Sequence, residues 1–251
     1  MLLSNIERYC DSTEEETGCI GMLSISHLIF RLQYCARHYT VFIPSHPIYL
    51  NMEDESKNGS SNNIQEDKTM SDTNTIGLLV GSRRKNSFNR QLASLAKTML
   101  EEKGQKVEMI DWLDVPFFSQ DDEFPTPEAV QKVRDEVMGC NVIWIFSPEY
   151  NGQIPGGEKN LLDWLSRGLK PGADKSDTAV YGRKVLLTTA GGRAAGFGVR
   201  KNLSLLCKFI GMDVISSEGI ALSPESWGSD DVMQTQGVKE MLEGQIDTLL
   251  G

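Results

Sequence analysis

Three short stretches hold the residues through which this chain could do chemistry. The first reads Gly81-Ser82-Arg83-Arg84-Lys85-Asn86-Ser87-Phe88-Asn89-Arg90 and concentrates four cations in a chain of formal net charge −10. It lies between an apolar run and a helical pattern, where free backbone N–H groups and the positive end of a helix dipole favour an anion. Arg84 can fork onto phosphate oxygens, and Ser82, Ser87 and Asn89 add neutral donors. The stretch lacks the Gly-Lys-Ser/Thr ending of a P-loop and the Gly-x-Gly-x-x-Gly of a dinucleotide loop. A single terminal phosphate therefore fits better than a pyrophosphate.

The second stretch, Ser147-Pro148-Glu149-Tyr150-Asn151-Gly152-Gln153-Ile154-Pro155-Gly156-Gly157, leaves the most apolar run of the chain. Pro148 fixes its exit and Asn151-Gly152 reads as a tight turn. Exposed backbone amides beside the Tyr150 ring suit a flat heteroaromatic ligand, although an ordinary turn would read the same way. The third, Ala190-Gly191-Gly192-Arg193-Ala194-Ala195-Gly196, is nearly bare of bulky side chains. Its glycines allow close backbone approach to a ligand, or simply a flexible connection.

Residue types also exclude chemistries. The three histidines, His27, His38 and His46, all precede Met70, as do Cys10, Cys19 and Cys35. Only Cys35-x2-His38 has a zinc-like spacing, so no metal site is expected. After Met70 only Cys140 and Cys207 remain, both in apolar settings that suit packing. Without histidine, a Ser-His-Asp or Cys-His nucleophile cannot be assembled there. No side chain is assigned as catalytic, and a cofactor is expected to carry any reaction.

The positioning elements follow from periodicity. Apolar runs at Ile76–Val80, Val107–Ile110, Asn141–Phe146 and Lys184–Ala190 read as strands, and Asp213 to Ile215 starts a fifth. Between and after them, helical spacing covers Ser87–Glu102, Pro127–Gly139, Glu158–Leu169, Val199–Ile210 and Val232–Leu250. Strict alternation implies right-handed crossovers and a parallel sheet. The expected fold is a three-layer α/β sandwich with a five-stranded parallel sheet in the flavodoxin-like order 2-1-3-4-5. Such a sheet binds ligands beyond the carboxyl ends of its strands at the switch between strands 1 and 3. The three stretches fall there in register.

At 251 residues, 39% hydrophobic and 24% charged, the chain is globular in composition. No apolar run reaches the roughly 20 residues of a membrane helix. Its acidity argues against nucleic acid as a partner. Five unevenly spaced cysteines suit a reduced, cytoplasmic protein. Residues 1–69 differ from the rest: an acidic start, a mixed stretch from Ile20 to Leu50, then a polar tract from Asn51 to Thr69. The expected organisation is a poorly ordered extension over 1–69 and a compact domain over 70–251, with Met70 as the original start. The helix carrying Leu161, Leu162, Trp164 and Leu165 is apolar on more than one face, which suggests burial against a second surface as well as its own sheet and so favours a homodimer or dimer-based tetramer.

Taken together, Gly81-Ser82-x-Arg84-x-x-Ser87-x-Asn89, Pro148-Glu149-Tyr150-Asn151-x-x-x-Pro155 and Lys159-Asn160-x-x-Asp163-Trp164-x-Ser166-Arg167 resemble the NAD(P)H-dependent FMN reductase family. This flavodoxin-like group includes quinone, chromate and azo-dye reductases. The resemblance runs from about Thr75 to the end of the chain. It implies that Ser82, Arg84, Ser87 and Asn89 hold the FMN phosphate, that Pro148, Glu149, Tyr150 and Asn151 cradle the flavin ring, and that Gly191 and Gly192 close the other side. The implied activity passes a hydride from NADPH or NADH through FMN to a small acceptor such as a quinone, azo compound or metal oxyanion. A homodimer or homotetramer is implied as well. Glu158 departs from the pattern, since the family usually carries an aliphatic residue before the Lys-Asn pair. The alternative is a flavodoxin-like electron carrier, against which the cationic first loop argues.

Overall fold

In the computed structural model, residues 75–251 are described, and the readings placed on residues 1–74 (the extension, Met70 and the Cys35/His38 pair) lie outside them. The elements run β1 (Thr75–Val80), α1 (Phe88–Glu102), β2 (Lys106–Met109), α2 (Glu128–Met138), β3 (Val142–Phe146), α3 (Gly156–Leu165), β4 (Lys184–Gly191), α4 (Phe197–Phe209), β5 (Asp213–Ala221), the short α5 (Pro224–Ser229) and α6 (Val238–Leu250). The sheet is wholly parallel in the order β2-β1-β3-β4-β5, as expected.

Alternation along the inner strands sorts side chains into two cores. Ile76, Leu78, Val80, Val142, Trp144, Phe146 and Leu186 face α1 and α6, where Leu92, Ala96, Leu242 and Ile246 meet them. Leu79, Ile143, Ile145, Val185 and Leu187 face α2, α3 and α4. Strands buried on both faces read as continuous apolar runs, and that is why β1 and β3 are plain in the sequence. A buried polar chain ties α6 to the sheet: Trp144 Nε1 donates to Thr188 Oγ1 at 2.7 Å, and Thr188 Oγ1 donates to Gln245 Oε1 at 2.6 Å.

Three expectations are corrected or extended. The last helix does not begin at Val232, because Gly237 sits at φ +82 and interrupts the pattern; α6 starts at Val238, and residues 224–234 form α5 and a 3₁₀ turn instead. Strand β5 starts at Asp213, as expected, and runs on to Ala221 through the polar Ser216-Ser217-Glu218. As an edge strand it is only partly buried, so it lacks an apolar run. Finally, Leu161, Leu162, Trp164 and Leu165 are each 1% exposed or less within one chain. The second surface for this helix is the chain's own connection after β2. Phe118 packs edge-on to Trp164 at 4.9 Å, and Trp164 Nε1 donates to Pro116 O at 2.9 Å. Among the described residues, no helix is long and apolar enough to cross a membrane.

Candidate functional site

Outward from β1 the chain enters α1 through the cationic stretch. Gly81 N–H donates to Phe146 O at 2.9 Å, carrying the β1–β3 pairing one residue past β1. Ser82 Oγ accepts the Arg84 N–H at 3.3 Å, and Ser87 Oγ caps α1 by accepting the Arg90 N–H at 3.1 Å. Each hydroxyl proton is left free for another acceptor. Both serines are buried at the base of a cleft of about 620 Å³.

Nine of the ten residues singled out in the sequence line this cleft: Ser82, Arg84, Ser87, Asn89, Pro148, Glu149, Tyr150, Gly191 and Gly192. Asn151 stands off the wall; with φ +55 it forms the reverse turn, next to Gly152, that joins Tyr150 to Gln153. Two lining residues have their side chains committed elsewhere. Asn89 clamps β4, its Oδ1 accepting the Ala190 N–H at 2.9 Å and its Nδ2 donating to Ala190 O at 3.3 Å. Glu149 turns one carboxylate oxygen to the first turn of α4, accepting the Val199 N–H at 2.9 Å. Tyr150 is about half exposed, and a Cβ placed on Gly192 would meet nothing within 4 Å, so this rim is open.

Arg84 already has a partner. Its fork meets Asp230, which raises the guanidinium pKa and holds the carboxylate below its usual range, in each case chiefly through the hydrogen bonds of the pair. Asn86 Nδ2 donates to Asp230 Oδ2 at 2.8 Å, and Gln91 Nε2 to Asp230 O at 2.9 Å. Trp227, on the same segment, packs edge-on to Phe88 at 5.1 Å, and the Arg84 guanidinium lies 5.3 Å from the Phe88 ring centre.

Phe88, Ala190, Arg193, Ala194, Gly196, Trp227 and Asp230 complete the lining; the first five belong to the first and third stretches, and only Trp227 and Asp230 come from outside all three. Ser223-Pro224-Glu225 is a helix-start signature that could have announced α5, with Ser223 Oγ accepting the Ser226 N–H. Nothing local announces that Trp227 and Asp230 reach back to the first loop.

Beneath the cleft lies Glu158, wholly buried in the first turn of α3. Its Oε2 is 2.5 Å from Ser147 Oγ, and a Cβ added to Gly81 would sit 1.9 Å from the same oxygen. Only glycine fits at 81. Burial pushes the Glu158 carboxyl up to about 8, against a smaller lowering by the Ser147 hydrogen bond.

Comparison with known proteins bears on this arrangement. The family model for NADPH-dependent FMN reductase matches residues 74–225. A 2-hydroxy-1,4-benzoquinone reductase from a Burkholderia species is 37% identical over 105 residues, which cover 39% of this chain and 57% of that relative. An NAD(P)H:quinone oxidoreductase from Solanum tuberosum is 30% identical over 67% of this chain and 87% of its own. Among solved structures, the flavoenzyme NAD(P)H:(acceptor) oxidoreductase FerB from Paracoccus denitrificans has the same fold, with TM-score 0.58 at 23% identity over 69% of this chain and 93% of that one. Trp227 and Asp230 lie just beyond the matched family span.

Proposed function

Because this chain belongs to the NADPH-dependent FMN reductase family, we propose that it is an oxidoreductase that holds FMN in this cleft and passes a hydride from NAD(P)H to a small acceptor, with a quinone as the first choice. The observation that carries the proposal is the convergence of the three loops on one cleft at the β1/β3 switch. The quinone follows from the names of the relatives in Burkholderia and Solanum tuberosum.

The residues present fit FMN. Ser82 and Ser87 offer two hydroxyl protons at the α1 N-terminus, with Arg84 beside them, which suits a phosphate monoester. Asn89 acts by clamping β4 to α1, and its second Nδ2 proton remains for the ligand. Pro148 and Tyr150 supply the wall for a flat ring, Glu149 and Asn151 shape the backbone that carries them, and Gly191-Gly192 leave the opposite side clear. Bound FMN supplies the two-electron chemistry, and the protein supplies binding and orientation. The open rim gives NAD(P)H and the acceptor access to the same face in turn.

Purified protein is expected to be yellow, to release FMN rather than FAD, and to oxidise NADPH rapidly when free benzoquinone is added. A yellow protein inert toward free quinone would identify an electron carrier instead. Colourless protein that takes up no FMN would overturn the assignment.

The same reading takes residues 70–251 as the catalytic domain and 1–69 as an extension it does not need. A homodimer or dimer-based tetramer is supported by Phe197, Leu205 and Phe209, exposed along one side of α4, which begins at the cleft edge. Free, buried Cys140 and Cys207 favour a reducing, cytoplasmic location.

A further inference from the structure

The two principal loops of the cleft rest on one buried carboxyl. Glu158 Oε2 touches Ser147 Oγ at 2.5 Å and presses on Gly81 at the head of the first loop, while Oε1 has no hydrogen-bond partner among the described residues. Ser147 Oγ is also 3.0 Å from the carbonyl oxygen of Pro148, the first residue of the ring loop. A serine hydroxyl has a single proton, so it cannot donate to both neighbours at once.

Both contacts are hydrogen bonds together only when the carboxyl carries a proton. Glu158 Oε2–H then donates to Ser147 Oγ, and the Ser147 proton goes to Pro148 O. When Glu158 loses its proton to solvent, Ser147 turns its own proton to the carboxylate and Pro148 O loses its donor. We propose that Glu158 is a positioning residue, protonated in the working protein, that acts through Ser147 to fix the Pro148 carbonyl and so sets the ring loop for flavin binding.

The surroundings favour the neutral form. Burial raises the carboxyl to about 8. From α4, Cys207 is the titratable neighbour, itself pushed up to about 12 by burial and by Glu158, so it stays a neutral thiol. From the first loop, Arg83 turns to Leu113 O and Arg84 to Asp230. Beside Glu158 on α3, Lys159 pairs with Asp163 at the surface. From the connection after β2, the Trp112 ring packs against Gly157 and donates from Nε1 to Val80 O. Among the described residues, no cation is placed to stabilise an ionised Glu158. An aliphatic residue in its place would supply no proton to Ser147.

Only the effect on flavin affinity rests on the functional reading above; the proton itself can be read without it. Infrared spectra of the full-length protein, compared with Glu158→Gln, should show a protonated-carboxyl C=O band at neutral pH that is absent from the variant and disappears above about pH 9. FMN dissociation constants, from quenching of flavin fluorescence, should weaken in the wild type by about three- to tenfold across the same rise, the loss expected for one hydrogen bond. Glu158→Gln keeps a donor for Ser147 at every pH and should show a flat profile near the wild-type value. Glu158→Leu should be flat but weaker throughout. A carboxylate already ionised at neutral pH, or a Gln profile that falls like the wild type, would overturn the proposal. Absence of FMN binding in the wild type and in both variants at every pH would sink the functional reading, while the infrared titration would still decide where the proton is. If the variants do not fold, the wild-type titration decides alone.

Discussion

Arg84 and Asp230 meet fork to fork, Nη1 to Oδ2 at 3.0 Å and Nη2 to Oδ1 at 2.8 Å, across 146 residues of sequence. The pair joins the first loop of the cleft to the C-terminal end of α5. Both side chains are roughly half exposed, so the pair adds little to stability. Its effect is on where the Arg84 fork is held and, on the proposed reading, on what the FMN phosphate would displace or share.

Arg84→Ala should weaken FMN binding by roughly 10- to 100-fold, the loss of one charge-assisted contact. Arg83→Ala should change it little, because Arg83 Nη1 donates to Leu113 O at 3.1 Å and its guanidinium lies over Trp112. Asp230→Asn should tighten FMN a few-fold, since the carboxylate competes with phosphate for the same fork. Fluorescence titration of the three variants checks all three, and equal, mild losses for Arg83 and Arg84 would remove Arg84 from the phosphate site.

Glu158 makes stability depend on pH. Its folded carboxyl, raised to about 8 from an ordinary 4.5, binds its proton more tightly than the unfolded chain does. Its contribution is therefore complete below about pH 4.5 and is lost as pH rises toward 8, with roughly 3 kcal/mol gone by neutrality. Glu158→Gln should remove that slope, and urea melts at several pH values measure it. Parallel slopes for wild type and variant would mean that the carboxyl is not shifted.

Light scattering at micromolar concentration should report a dimer or tetramer. Phe209→Glu, at an 89% exposed position, should dissociate it without lowering the melting temperature of the monomer. A wild type that is strictly monomeric would remove the assembly.

A chain truncated to begin at Met70 should be soluble, bind FMN and reduce quinone as the full chain does. Residues 75–251 supply a five-stranded sheet, two cores and the cleft described above. An insoluble or flavin-free product would show that residues 1–69 contribute to the fold.

What the sequence by itself determined were the features that rest on neighbouring residues. Ile76–Val80 and Val142–Phe146 announce themselves as strands buried on both faces, and helical spacing between them dictates a parallel sheet. Once the order β2-β1-β3-β4-β5 is set, the loops after Val80, Phe146 and β4 must meet at the switch point, so the site's location was legible too. Turn chemistry was equally local: Asn151 has positive φ because the Tyr150–Gln153 reversal requires it.

Only the tertiary structure decided what the side chains do once they arrive. Asn89 reads as a donor to phosphate and Glu149 as part of the ring cradle, but folding turns Asn89 to the β4 backbone and Glu149 to the α4 N-terminus. The apolar helix with Trp164 reads as half of an interface, yet residues 116–118 of the same chain cover it. Glu158 stands out in the sequence only as a departure from the family pattern before Lys159-Asn160, and folding seals it against Gly81. The physical reason is common to all four. Periodicity and turn geometry act within a few residues, whereas the partner of a polar or aromatic group is fixed by packing between segments far apart in the chain, and short-range pattern carries no record of that packing.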